Sequence, residues 1–377
     1  MRIRRIVIRN LRAVHERDDS FELTPGHGGG DVSPAVCFHG GGGAGKTTCL
    51  DVMAALWKLF RASTRRRLTR TLTLDPALSG LQPGGWVAMQ LVDLPGPLPT
   101  LWLHSGPDEP PAQLEGAVIS GRAARAALDK HVPQILFRPD PNRPTAGAEL
   151  PSFWEPPFDA LRLGPAGALE SLAETLPNMV YLGAENRYIE PLAPNDDRAE
   201  PFMEDAVRWL ARYAPSSDKR LHLETSMTAL RLANPRRFQE IRERIQSVLT
   251  DIELLDHVQR ETMRPLVRVR GEAVTTIDRL SSGERAAIIS LFTVGRWLAP
   301  GGIVLIDEPE LHQHAPLVRL NLAALEDFVV NKMGGQLIVA SHAPEVAEHF
   351  QATMLRTRLV VDLERSEAAQ GAAASAA

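Results

Sequence analysis

Apolar positions change their period several times along the chain, and each change marks an element. In residues 1–10, Ile6 and Ile8 alternate with Arg5 and Arg9, the two-residue period of a half-exposed strand. A glycine-rich loop at 26–30 precedes a short apolar strand at 35–39, which runs into glycines at 40–45. Leu50, Met53, Trp57 and Phe60 then recur at spacings of three and four, one buried stripe of a helix over 47–60. Strands are expected at 86–94 and 100–104, joined by a Pro/Gly turn, and again at 179–182. Residues 197–257 read as mostly helical, with Asn234 as an N-cap and Pro235 at the first helical position. A strand pair at 266–270 and 273–277 follows. From there to about 363 the pattern is helix, strand, helix, strand, helix, strand.

These changes divide the chain into a first lobe at 1–105, a proline-rich irregular insertion at 106–176 and a return to the core at 177–195. A helical subdomain at 196–262, a second lobe at 263–363 and a disordered Ala/Gly/Ser-rich tail at 364–377 complete it. At 377 residues, 44% hydrophobic and 23% charged, the chain can bury a full core without cross-links. A net charge of −4 argues against a wholly basic nucleic-acid binder and leaves a local basic face open. Arg61, Arg65, Arg66, Arg67 and Arg70 are the densest basic run and the best nucleic-acid candidate, although such runs are usually solvated faces. Cys37 and Cys49 suit small core positions in a reducing compartment. No signal peptide is visible, and the most apolar stretch, 286–306, is interrupted by Arg296, Pro300 and paired glycines. A cytoplasmic protein without a membrane span is expected.

Four short stretches carry chemistry. Gly40, Gly41, Gly42, Gly43, Ala44, Gly45, Lys46, Thr47 and Thr48 match G-x-x-x-x-G-K-[ST] between a strand and a helix. Glycines let backbone N–H groups curl around phosphates at a helix N-terminus. Lys46 would then bridge phosphate oxygens, and the Thr47 hydroxyl would ligate Mg²⁺. The run at 303–308 is an apolar strand ending in Asp307 and Glu308, suited to a Mg²⁺ ligand and a group that activates water. Ser281, Ser282 and Gly283 open a helix 24 residues before Asp307. They make either a second anion-binding end, serving a nucleotide held by another copy, or a plain helix cap. The strand at 337–341 ends in Ser341 and His342, where a histidine could sense a terminal phosphate.

In order and spacing these stretches resemble the heads of ABC-type ATPases: Walker A at 40–48, signature at 280–284, Walker B at 303–308 and a switch histidine, His342. The run Asp307-Glu-Pro-Glu-Leu-His312-Gln-His314 is similar to that of stand-alone ATPases related to the overcoming-lysogenization-defect (OLD), RecF and SMC-like groups. The resemblance covers roughly 1–60 and 265–363, with weaker support at 181–187. It implies an α/β P-loop NTPase fold with a mixed central sheet and a mainly helical insertion. It further implies ATP and Mg²⁺ as cofactors, Asp307 on the metal, Glu308 as base, and Ser281, Ser282 and Gly283 on the ATP of a second copy. Gly42 stands where the family usually has Asn, and Ser282 where Gly is commoner. No glutamine marks the Q-loop, and Glu185 holds its place.

An ATPase that forms an ATP-dependent homodimer or higher oligomer is therefore expected. It would drive a trans-acting effector such as a nuclease, with nucleic acid a possible partner, in anti-phage defence or DNA maintenance. Two other classes stay open: the ATP-binding subunit of a membrane transporter, and a slow ATP-bound scaffold. The long stretch between residues 94 and 277 and the missing L-S-G-G-Q weigh against the first, and the Asp307-Glu308 pair against the second. Metal binding by His312 and His314 is disfavoured by their i, i+2 spacing and the lack of a thiol partner.

Overall fold

Short runs that are apolar at every position, such as Val-Leu-Ile, can be buried on both faces only in a covered parallel sheet, and that is where they lie. The computed structural model describes residues 1–11, 14–25, 31–64, 72–73, 76–78, 81–94, 100–106, 111, 114, 117–124, 127–137, 177–190, 209–216, 222–258, 264–270, 273–351 and 358–363. The strands of the first lobe are β1 (Arg2–Leu11), β2 (Val14–Glu22), β3 (Ala35–His39), β4 (Leu72–Thr73), β5 (Leu81–Val92) and β6 (Thr100–Gly106), with helix α1 (Lys46–Thr64) after β3. Strands β7 (Ala117–Ala124), β8 (Ala127–Phe137), β9 (Met179–Leu182) and β10 (Leu210–Arg212) lead to helices α2 (Leu223–Ala233) and α3 (Pro235–Val248). Strands β11 (Ile252–Val258), β12 (Pro265–Val269) and β13 (Ala273–Thr276) come next. The remainder alternates as α4 (Ser282–Trp297), β14 (Ile303–Asp307), α5 (Ala315–Glu326), β15 (Gln336–Ser341), α6 (Pro344–Gln351) and β16 (Arg358–Asp362).

The central sheet has the order β10-β9-β14-β15-β3-β16, and every neighbouring pair in it is parallel. Alternation sends Val36, Phe38, Leu305 and Ile338 into one core and Ala35, Cys37, Val304, Ile306 and Val339 into the other. Helices α2 to α6 cover the second face. The first face packs on α1, which packs in turn on a seven-stranded sheet, β2-β1-β5-β6-β7-β8-β4. That second sheet is antiparallel except between β6 and β7. The expected mixed sheet is thus two sheets, with the candidate loops on the wholly parallel one. A three-stranded antiparallel ribbon, β11-β12-β13, precedes α4.

Helix α1 departs from its sequence pattern. A single stripe was expected, yet Cys49, Leu50, Val52, Met53, Ala54, Ala55, Leu56, Trp57, Leu59 and Phe60 are all buried. The helix lies between two sheets, so it needs an apolar surface almost all round. The indoles of Trp57 and Trp209 stack at 4.3 Å, and each Nε1 donates to the other's backbone carbonyl (2.7 and 2.8 Å). This reciprocal clamp ties α1 to the start of β10.

Two further expectations need correction. Among the described residues of 196–262, the helices are α2 and α3, and strands β10 and β11 lie in the same stretch. Leu210, Ala211 and Arg212 have good helix propensity, but pairing with β9 and the Trp209 clamp outweigh it. The Asn234 cap is present, its side chain accepting from the Arg237 N–H at 3.0 Å. The stretch 106–176, expected to be irregular, contains β7 and β8, which extend the first sheet. Pro133 sits in β8, which beyond Lys130 and His131 is paired only with β7 among the described residues, an edge setting that tolerates a missing N–H. Residues 138–176, the glycine loop 26–30, Arg65, Arg66, Arg67 and Arg70, and the tail from 364 lie outside the described residues. Among the described residues no helix is long and apolar enough to cross a membrane.

One buried side chain joins the two sheets. Gln336, at the start of β15, accepts from the Ile3 N–H (2.7 Å) and donates to the carbonyls of Ile3 (3.1 Å) and Ser33 (2.9 Å). Replacing it with leucine leaves these backbone groups unpaired in an apolar setting. Gln336→Leu is expected to lower the unfolding free energy by about 2–4 kcal/mol in urea titrations. An unchanged midpoint would show that this clip does not hold the sheets together.

Candidate functional site

In a parallel sheet every strand delivers its C-terminal end to the same edge, where side chains far apart in sequence can meet. Strand β3 ends in the glycine loop, β14 in Asp307, β15 in Ser341 and His342, and β9 in the turn 183–187. Gly43 and Gly45 have φ of 81° and 88°, a region that only glycine enters freely. A Cβ on Gly43 would meet nothing within 4 Å, so backbone conformation rather than space calls for glycine there. Gly42 and Gly43 are exposed, and Lys46 is buried. The Lys46 ammonium donates to the carbonyls of Gly40 (2.8 Å) and Gly41 (2.6 Å), using two of its three N–H groups.

Thr47, on the first turn of α1, donates its hydroxyl to Asp307, 3.1 Å from Oδ1 and 2.9 Å from Oδ2. A hydroxyl and a carboxylate at this distance form a hard-oxygen pair of the kind Mg²⁺ takes. Asp307 is buried, and that burial pushes its pKa up to about 6. The Thr47 hydroxyl and the positive charge of Arg187 pull it down, while Glu308 and Asp51 push it further up.

Glu308 follows with φ 47°, an uncommon conformation for a residue bearing a Cβ, and its N–H bonds to the Ala340 carbonyl of β15 at 2.7 Å. That bond carries the turn towards His342. The His342 Nδ1 lies 3.4 Å from Glu308 Oε1 and 3.3 Å from Glu310 Oε1. Lys46, Thr47, Asp307, Glu308 and His342 are thus drawn together at one edge.

Ser281, Ser282 and Gly283 form the start of α4. No hydrogen bond or ion pair joins them to Lys46, Thr47 or Asp307 among the described residues. Ser281 caps α4 in a capping box: Glu284 Oε2 accepts from the Ser281 N–H (2.8 Å) and hydroxyl (2.7 Å), and the Glu284 N–H returns to the Ser281 hydroxyl (3.4 Å). The helix end therefore already holds an anion of its own. Ser281 and Ser282 are exposed, whereas Gly283 is buried. A Cβ on Gly283 would come within 2.6 Å of the His312 carbonyl, so the glycine lets α4 press against the turn that follows Glu308. His312 has φ 65°, and His314 caps α5 through its backbone.

Two residues went unassigned in the sequence. Glu185 is exposed, while Arg187, two positions later, is buried, and the negative charges of Asp307, Glu310 and Glu308 act on its guanidinium. Glu310 accepts a 2.7 Å bond from the Ser341 hydroxyl. Glu310 lay within the Asp307–His314 run, but nothing in its spacing separated its role from that of Glu308.

No protein-family model matches the chain. It is 35% identical to protein ea59 of Escherichia phage lambda over 96 residues, which make up 24% of this chain and 18% of that protein. The chain therefore aligns with less than a fifth of that relative's length. Among solved structures, the Smc head bound to the C-winged helix domain of ScpA aligns with a TM-score of 0.46 and 12% identity, over 93% of this chain and 92% of that one.

Asp307 ionises in the fold only near pH 6, against an ordinary value of 3.8, so folding loses stability as the pH rises between those values. Asn keeps the oxygen that Thr47 bonds and removes the buried charge. Asp307→Asn is expected to melt roughly 2–5 °C above the wild type at pH 7.5 without divalent metal, the gap closing as the pH falls towards 4. Lower melting of the variant across the whole range would show that the carboxylate is a net stabiliser.

Proposed function

We propose that the chain is an ABC-type P-loop ATPase head that binds ATP with Mg²⁺ and hydrolyses it to ADP and phosphate. The observation that carries this is the Thr47–Asp307 contact, which joins a glycine loop to a strand-end acid across 260 residues of sequence. Backbone N–H groups of 41–48 would cradle the phosphates at the N-terminus of α1, with the remaining donor of Lys46 turned to them. Thr47 and Asp307 would hold Mg²⁺, which supplies charge neutralisation on the phosphate oxygens when bound.

Glu308 would take a proton from the attacking water. As the oxygen of that water bonds to the γ-phosphorus, the bond to the β–γ bridging oxygen breaks and ADP leaves. His342, exposed and with its Nδ1 3.4 Å from Glu308 Oε1, would turn its imidazole towards the same terminal phosphate. Exposed Ser281 and Ser282 would face the nucleotide of a second copy, whose phosphate would take the place of the Glu284 carboxylate at that helix end. Coupling to a trans-acting effector that works on nucleic acid belongs to the same proposal, and its support is the sequence resemblance at 307–314.

Lys46→Ala is expected to abolish the thermal stabilisation of the protein by Mg·ATP, and an unchanged shift would remove Lys46 from the site. Glu308→Gln is expected to keep that stabilisation while phosphate release falls by ~10²-fold or more. In light scattering it should also accumulate a dimer only when ATP is present. Turnover at the wild-type rate would overturn the assignment of the base, and a monomer at saturating ATP would overturn the pairing.

A further inference from the structure

Arg187 and Glu310 each leave a charged atom unspent in the same buried corner. Arg187 follows β9, the strand beside β14, and is only 3% exposed. Its Nε reaches the Gly183 carbonyl at a long 3.5 Å, and its Nη2 is buried with no hydrogen-bond partner among the described residues. Burial pulls its pKa down to about 10, against the opposing pull of Asp307, Glu310 and Glu308. Glu310 spends Oε1 on the Ser341 hydroxyl at 2.7 Å and on His342 Nδ1 at 3.3 Å, while its Oε2 is buried without a partner among the described residues. An unspent cationic donor and an unspent anionic acceptor rarely persist inside a protein without a reason.

The two carboxylates beside His342 differ in exposure and anchoring. Glu308 is about a third exposed, whereas Glu310 is about a tenth exposed and tied to Ser341. One Nδ1–H cannot be held well by both. The anchored carboxylate is the better holder, and this leaves Glu308 free for water.

We propose that Arg187 and Glu310 are positioning residues of the hydrolytic centre: the buried guanidinium offsets the negative charge of the strand-end acids, and Glu310, anchored by Ser341, holds the imidazole of His342 through Nδ1, so that Nε2 faces the terminal phosphate. The inference rests on the ATP chemistry proposed above. Three carboxylates end one strand and its turn, and among the described residues Arg187 is a buried cation with an unpartnered N–H whose charge acts on all three. Removing it should disorder the bracket without touching the phosphate loop.

The test uses full-length wild type, Arg187→Met, Arg187→Lys, Glu310→Gln, His342→Ala and the Glu310→Gln/His342→Ala double variant, each checked for cooperative melting. Arg187→Met and Glu310→Gln should each lower kcat for phosphate release roughly tenfold or more, with KM for ATP within about twofold of wild type. Arg187→Lys should recover part of the loss. The double variant should be no slower than His342→Ala alone, because both changes remove one unit. Additive losses, or an unchanged kcat in Glu310→Gln, would overturn the proposal. Spectra of ¹⁵N-histidine-labelled protein decide the matter without turnover: the His342 Nδ1 signal, assigned by its absence in His342→Ala, should move in Glu310→Gln and in Arg187→Met. An unmoved signal sinks the positioning role. A wild type no faster than Lys46→Ala would sink the ATP chemistry and leave the spectral outcome to decide the bracket.

Discussion

Helix α1 is enclosed between two sheets, and the position of the glycine loop follows from that enclosure. The loop itself is exposed and glycine-rich, and a free loop of this composition would sample many conformations. Its far end, however, enters a helix whose apolar residues touch the parallel sheet on one side and β1, β5 and β6 on the other. The stacked pair Trp57 and Trp209 fixes the helix along its axis, and Tyr181 reaches Asp51 on the same helix with a 2.9 Å bond. Lys46 and Thr47 therefore begin a helix that is held on both sides, and the strand end at Asp307 meets Thr47 there.

The edge that receives them is costly for the fold. Asp307 is buried and resists ionisation, Glu308 is held in a left-handed backbone conformation, and Arg187 and Glu310 keep buried atoms without partners. A stable core would avoid all of these. Under the proposed function, these costs at one edge of the sheet are the local stability given up for chemistry.

The signature-like turn also packs against the turn that carries the strand-end acids. Gly283 lets α4 rest on the His312 carbonyl, and the same turn carries Glu308 and Glu310 at its other end. Anything that displaces the start of α4, such as an anion competing with Glu284 for the helix end, would press on the turn that holds the acids. Under the proposed function, this gives a short physical route between a partner's nucleotide and the hydrolytic groups of the chain it docks on.

The amino-acid sequence by itself determined the elements whose periodicity is strong and whose partners are local. The strand at 35–39, the strand at 179–182, the Asn234-Pro235 helix start and the alternation after 280 all appear where the pattern puts them. It also marked Lys46, Thr47, Asp307, Glu308 and His342, because glycine loops and strand-end acids carry their geometry in a few consecutive residues. Tertiary structure alone decided what depends on distant neighbours. The second sheet covers α1 on a side that its stripe did not foresee, the Trp57–Trp209 clamp makes 210–212 a strand, and an edge setting admits Pro133 into β8. Arg187 and Glu310 belong to that second class: burial and electrostatic company are properties of a folded corner, and no spacing along a chain encodes them.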